Sequence, residues 1–175
     1  EVIDAARRIY ADRPAVTFQV GTVYRTGFPD GSFDAVVMLQ LLEHLDAPAK
    51  AMREINRVLR PGGVAVVSTI NAHYWMSSLD FYRKSYFPSW NPGVARFQDH
   101  PAARHVTTWD LVSFNTLLSE CGFQHRRHLF ANVIDDFNPF TRAMEAILVR
   151  LVPGLAQTIL IAAEKIRDAS NDAEI

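Results

Sequence analysis

Two apolar runs with one helix-length segment between them constrain this chain more than any other feature. Phe33 to Leu39 is the first, interrupted only by Asp34, and Val64 to Thr69 is the second. Runs of this length suit strands buried on both faces, as in a parallel sheet. Between them, Pro48 opens a segment with Ala51, Met52, Ile55, Val58 and Leu59 on one helical face and Lys50, Arg53, Glu54 and Arg57 on the other. Arg60-Pro61-Gly62-Gly63 ends that helix sharply. Strand, helix, tight turn and strand in so short a span is a right-handed βαβ unit, so the architecture is α/β.

The flanks extend the pattern. Val2, Ile3, Ala6, Ile9 and Tyr10 recur at helical spacing and predict a helix that stops near Asp12-Arg13-Pro14. Val16 to Val20 is rich in β-formers and predicts a strand. Phe28-Pro29-Asp30-Gly31-Ser32 is turn chemistry. Further on, Thr107 with Asp110 three residues later resembles a capping box, leading a helix with Leu111, Phe114, Leu117, Leu118 and Cys121 as its buried stripe and Gly122 as its stop. Phe123 to Phe130 reads as a strand, Asn138-Pro139 as the start of a helix through Leu151, and Gln157 to Ala163 as the last strand. The tail after Glu164 is polar and predicted to fray.

Residues 70–105 have a different character. They carry eight of the nineteen aromatic residues and three of the six histidines, with little periodicity. So long an irregular segment directly after a buried strand is functional or disordered, and its aromatics argue against disorder.

Composition excludes several classes. A formal net charge of −1 gives no global attraction to nucleic acid or to an anionic membrane surface. The one cysteine, Cys121, allows no intrachain disulfide and no cysteine metal cluster, which fits a reducing, cytoplasmic setting; no metal site is expected. The most apolar stretch, Ala146 to Ala163, is broken by Arg150, Pro153 and Gly154 and is too short to span a membrane. It reads instead as a buried helix followed by a buried strand.

Three motifs in order, Phe28-Pro29-Asp30-Gly31-Ser32-Phe33-Asp34, Leu41-Leu42-Glu43-His44-Leu45 and Arg57-Val58-Leu59-Arg60-Pro61-Gly62-Gly63, resemble the small-molecule branch of the class I S-adenosylmethionine-dependent methyltransferases. Leu117 to Phe123 looks like that family's helix before its sixth strand, and the resemblance runs from Glu1 to about Lys165. Each motif is loose alone; their order and spacing are specific. The resemblance implies a Rossmann-like fold, mostly parallel with an antiparallel C-terminal strand. It divides the chain into a partial methyltransferase domain at residues 1–165, with 70–105 as an aromatic substrate-side insertion, and a polar tail at 166–175. In the family's strand order (three, two, one, four, five, seven, six), Val16 to Val20 would be the third strand and Phe33 to Leu39 the fourth. The glycine-rich loop and the ribose-gripping acid would precede residue 1, and the eight glycines include no G-x-G arrangement. The chain therefore reads as an N-terminally truncated, incomplete fold in which the third strand lacks a sheet neighbour while strands four, five, seven and six stay contiguous.

The resemblance also implies a cofactor, S-adenosylmethionine, with Met38, Leu39, Gln40, Leu41 and His44 at the cofactor rim and Thr22 and Val23 near the adenine. Many relatives have an acid where Thr22 stands, so adenine recognition here would rest on a hydroxyl or on a neighbour. For an oxygen or nitrogen acceptor, His73 and His105 are the candidate general bases, and the competing reading of each is a surface loop histidine. Glu43 beside His44 is either an acid–base pair or, as in the family, an orienting pair for the loop after the fourth strand. Tyr74, Trp75, Tyr82, Tyr86 and Trp90, with Phe81 and Phe87, form acceptor walls or a satellite core. Arg83, Lys84, Arg96 and Arg104 hold an acidic substrate or make a solvated face. The expected function is methyl transfer to a small-molecule acceptor (metabolite, lipid precursor or sugar intermediate), with residues 1–175 inactive by themselves. The alternative is a catalytically inactive member of the fold serving as a scaffold. A nicotinamide-dependent oxidoreductase is disfavoured by the Glu-His loop, the Pro-Gly-Gly turn and the reversed last strand.

Overall fold

The computed structural model describes residues 2–75, 106–132 and 139–169. Its elements in chain order are α1 (Val2–Ile9), β1 (Phe33–Leu39), α2 (Pro48–Val58), β2 (Leu59–Ile70), α3 (Leu111–Glu120), β3 (Phe123–Ala131), α4 (Pro139–Leu151) and β4 (Thr158–Lys165). Short 3-10 turns at Leu42–His44 and Pro153–Leu155 follow β1 and precede β4.

The four strands form one sheet in the order β1-β2-β4-β3. β1 and β2 pair in parallel, and β4 is antiparallel to both β2 and β3. Three strands therefore share one direction and the C-terminal strand alone is reversed. This is the contiguous four-five-seven-six half-sheet expected from the motifs. The β1–β2 ladder shifts register between Phe33 and Ala35, where Arg60-Pro61-Gly62-Gly63 loops out at the start of β2. Gly62 takes φ +76° there, a left-handed conformation that disfavours any side chain.

The core lies on one face of the sheet. Ala51, Met52 and Ile55 of α2 and Phe114, Leu117 and Leu118 of α3 pack against Met38, Leu59, Ala65, Val67, Phe123, Ile159, Ile161 and Ala163. Cys121 is fully buried in this core, and burial pushes its thiol up to about 11. A buried glutamate would be costly in such a layer unless paired. Glu54 of α2 meets that demand by accepting from Thr26 N and Thr26 Oγ1 (both 2.7 Å) and from Arg57 Nη2 (2.7 Å). Arg57 also pairs with Asp30, so the turn before β1 and the last turn of α2 are stapled together.

Several expectations are corrected. Val16 to Val20 forms no strand: the residues are mostly exposed, and no ladder partner exists for them among the described residues. A strand is held by a neighbour, and β-propensity alone does not supply one. β1 is buried on one face only, with Val37 62% and Leu39 57% exposed, because no described helix covers its other face. The α1 stripe likewise faces no core, and Val2 and Ile9 are exposed. α4 is not a buried helix either: Phe140, Ile147 and Leu151 are exposed, while Glu145 is buried.

The cap of α3 is Asp110 rather than Thr107. Asp110 Oδ1 accepts from Ser113 N at 2.7 Å, Ser113 Oγ accepts from Asp110 N at 3.2 Å, and Thr107 Oγ1 instead accepts from Trp109 Nε1 at 2.9 Å. The chain after Glu164 is also tied down as far as Ala169. Lys165 is buried and donates to the carbonyls of Asn56 (2.9 Å) and Leu59 (3.0 Å). Asn56 Nδ2 donates to the carbonyls of Cys121 (2.9 Å) and Arg167 (3.0 Å), and Asn56 Oδ1 accepts from Ala169 N at 3.2 Å.

Candidate functional site

In open α/β sheets, ligands bind beyond the carboxyl ends of the parallel strands. Here the ends of β1 and β2 lie side by side, with Leu39 in register with Ser68. The chain then turns through Gln40 at φ +49°, the one non-glycine residue with positive φ among those described. A side chain in this region costs about 1–2 kcal/mol, so local bonds must hold it. Gln40 N donates to Ser68 O (3.2 Å) and Ser68 Oγ (3.1 Å), and Gln40 Nε2 donates to Ser68 Oγ at 3.2 Å. Strain held by a neighbouring strand at a sheet rim is a mark of a functional turn.

The next turn is anchored from beneath. Glu43 is 1% exposed, and its Oε2 accepts from Thr69 Oγ1 at 3.1 Å. Burial raises its pKa, opposed by hydrogen bonding and by the nearby charge of His44. Its backbone carbonyl accepts from Val106 N (2.7 Å) and Thr107 N (3.3 Å), so the chain leaving the aromatic segment is clipped to this same turn. His44 is half-buried, and its N–H donates to Leu41 O at 3.0 Å.

Of the other rim candidates, Leu39 and Leu41 present apolar surface to solvent, whereas Met38 is buried in the core, so its side chain is turned away from the rim. Thr22 is exposed and its Oγ1 accepts from Tyr24 N at 3.4 Å; Val23 packs on the core. Ala47 N donates to Tyr24 Oη at 3.4 Å, which ties the Thr22–Val23 turn to the start of α2.

Beyond the end of β2, where the acceptor candidates begin, Asn71 is buried. Its Nδ2 donates to the carbonyls of Gly154 and Ala156 (2.7 Å each), and its Oδ1 accepts from His73 N at 3.0 Å. His73 itself is exposed, with Nε2 3.8 Å from Asp110 Oδ2. Asp110 is held below the usual carboxylate range first by its hydrogen bonds to Ser113 and then by His73. Tyr74 is buried and meets Trp75 edge to face at 6.1 Å; Trp75 Nε1 donates to Glu145 Oε1 at 3.3 Å. Burial and then the Glu145 carboxylate push the Tyr74 hydroxyl well above its ordinary value. Tyr74 is thus satellite core, and Trp75 is the aromatic that stays half-exposed. His105, Tyr82, Tyr86 and Trp90, with Phe81, Phe87, Arg83, Lys84, Arg96 and Arg104, lie outside the described residues.

Sequence reasoning missed Ser68, Asn71 and Glu145. The first two had a signal in Ser68-Thr69-Ile70-Asn71, polar residues at the carboxyl end of a buried strand. Glu145, one acid in an otherwise apolar helix, had only a weak one.

Residues 1–67, which contain β1 and the turns at Gln40 and Glu43-His44 and end one residue before Ser68, match the methyltransferase domain family. The cofactor that this match implies is S-adenosylmethionine. A protein from Mycolicibacterium smegmatis named for S-adenosylmethionine-dependent methyl transfer is 44% identical over 63 residues, covering 36% of this chain and 24% of that protein. The ubiquinone biosynthesis O-methyltransferase of Pseudomonas aeruginosa is 46% identical over 41 residues, 23% of this chain and 18% of its own length. The matched regions therefore span about a quarter or less of these relatives. Among solved structures, the Haloferax volcanii methyltransferase-family chain in complex with the Trm112 methyltransferase activator superimposes with a TM-score of 0.64 at 19% identity, over 94% of this chain and 68% of that one. The fold is the Rossmann-like methyltransferase fold. Among the described residues no helix is long and apolar enough to cross a membrane.

Proposed function

We propose that the full protein transfers a methyl group from S-adenosylmethionine to a small-molecule acceptor. The observation that carries this reading is the strained Gln40 turn at the sheet's carboxyl rim, which lies inside the region that matches the family and is pinned on Ser68 just beyond it. Leu39 and Leu41 offer apolar surface for one side of the cofactor and Gln40 and His44 offer polar groups, while Thr22 and Val23 precede Tyr24, whose hydroxyl accepts from Ala47 N at the start of α2. These groups fit a sulfonium nucleoside along one wall.

When bound, the cofactor would supply an electrophilic methyl carbon to the acceptor lone pair, so alignment and water exclusion would supply much of the rate. An O–H or N–H acceptor must also lose a proton, and His73 is the base candidate for it; the backbone bond from His73 N to Asn71 and the nearby Asp110 carboxylate support that reading. Trp75 serves as an acceptor wall, with Tyr82, Tyr86 and Trp90 of the aromatic segment, and His105 is the second base candidate.

Calorimetry of the full protein with S-adenosylmethionine and S-adenosylhomocysteine tests the reading, and failure of both to bind sinks it. Residues 1–175 alone are expected to bind weakly or not at all, because their rim supplies one wall; micromolar affinity for this piece contradicts that. The exposed, uncharged Thr22 favours a second reading, a non-catalytic binding module on the same fold. An intact glycine-rich loop in upstream sequence would decide against it.

A further inference from the structure

The β3 sequence Phe123-Gln124-His125-Arg126-Arg127-His128-Leu129-Phe130 breaks the two-residue alternation of a strand. In a regular strand His125 and His128 would point to opposite faces. The β3–β4 ladder shifts register between His125 and Arg127, leaving Arg126 as the extra residue of a bulge. Phe123, His125, His128 and Phe130 consequently stand opposite Lys165, Ala163, Ile161 and Ile159. Those four partners are all buried, so the two histidines share the core-facing side of the edge strand.

Apolar side chains would cost less at these positions than two half-buried imidazoles. The bulge nevertheless brings His125 Nε2 to 3.3 Å from His128 Nδ1. Two nitrogens bound to one tetrahedral zinc at about 2.0–2.1 Å lie roughly 3.3–3.4 Å apart. Arg126 is engaged by Glu164 at 2.8 Å, which keeps its guanidinium occupied on β4.

We propose that His125 and His128 form a two-imidazole chelate for a tetrahedral divalent cation of the zinc class. Neutral imidazoles are the ordinary ligands of such ions, and Phe130, edge-on to His128 at 5.4 Å, shields one flank. No cluster of three or more ligating side chains occurs among the described residues, so water or an exogenous ligand fills the two remaining positions. The site sits on the strand farthest from β1 and is independent of methyl transfer.

Co²⁺ is the probe, titrated into the full protein at a pH above the imidazole range. The expected result is one micromolar site with the intense visible absorption of tetrahedral cobalt, displaced by Zn²⁺. His125→Ala and His128→Ala should each weaken it at least tenfold, and His73→Ala should leave it intact. Imidazole nitrogen resonances of the unmodified protein, followed during Zn²⁺ addition, give a readout that does not depend on the variants folding. Two histidine spin systems should move together. Binding no tighter than millimolar, a site that survives either substitution, or imidazole resonances that stay still would overturn the proposal.

Discussion

Replacing Ser68 by alanine removes one oxygen atom from a buried strand, yet it should loosen the cofactor rim. Gln40 holds a left-handed conformation whose cost is about 1–2 kcal/mol. Ser68 Oγ accepts two bonds that offset it, from Gln40 N at 3.1 Å and from Gln40 Nε2 at 3.2 Å. The backbone bond Gln40 N to Ser68 O, at 3.2 Å, survives the substitution, so the N–H keeps a partner. With a net contribution of about 1 kcal/mol for a typical intramolecular hydrogen bond, the loss is roughly 1–1.5 kcal/mol, comparable to the strain it balances. Ser68→Ala is therefore expected to lower unfolding stability by about 1 kcal/mol in urea titrations. It should also weaken S-adenosylhomocysteine binding to the full protein about five- to tenfold in calorimetry, since 1.4 kcal/mol is a factor of ten. Gln40→Gly relieves the backbone strain while losing the side-chain bond, so its stability should stay close to that of the parent. If Ser68→Ala changes neither stability nor affinity, the turn is not held by Ser68 and the reasoning fails.

Gly122 and Gly62 both adopt positive φ, but a Cβ on Gly122 would lie 2.5 Å from Arg167 O and 2.9 Å from Asn56 Nδ2, whereas one on Gly62 meets nothing within 4 Å. Gly62→Ala should cost about 1–2 kcal/mol and Gly122→Ala roughly 2 kcal/mol more, as urea midpoints at constant m would show; equal losses would refute the close approach. Glu54 titrates at about 2 in the fold, chiefly through its bonds to Arg57, so its stabilisation is full above the unfolded value near 4.5 and disappears as pH falls towards 2. Glu54→Gln should be destabilised at neutral pH and converge with the parent in that window. Glu43 has the opposite sign, because burial raises its pKa and the penalty appears as pH rises past the unfolded value. Glu43→Gln, which keeps an acceptor for Thr69, should match the parent in acid and exceed it at neutral pH; a loss there would contradict the assignment. Cys121, buried with its thiol pushed up to about 11, should react with a disulfide reagent only at the rate of unfolding; fast labelling of native protein would place it at the surface.

Local chemistry made much of this fold legible. The helix from Pro48 was readable because its apolar positions repeat at helical spacing and Pro61-Gly62-Gly63 cannot continue it. The βαβ unit followed from the order of such segments, and the reversed C-terminal strand from the family resemblance. The α3 stripe was visible for the same reason, with Phe114, Leu117 and Leu118 all buried. The rim was located because strand ends are set by where apolar runs stop.

What stayed hidden depends on partners distant in sequence. Val16 to Val20 has strand composition, but a strand exists only when another supplies its ladder. Thr107 and Asp110 are both competent caps, and the choice fell to Asp110 when Thr107 Oγ1 was taken by Trp109 and its backbone N–H by Glu43. Ser68, Asn71 and Glu145 matter through neighbours 28, 85 and 70 residues away, a reach that no local pattern encodes. The histidine pair is the plainest case. Its spacing places the rings on opposite faces of a regular strand, and only the register of β3 against β4 folds one residue out and turns both imidazoles to the same side.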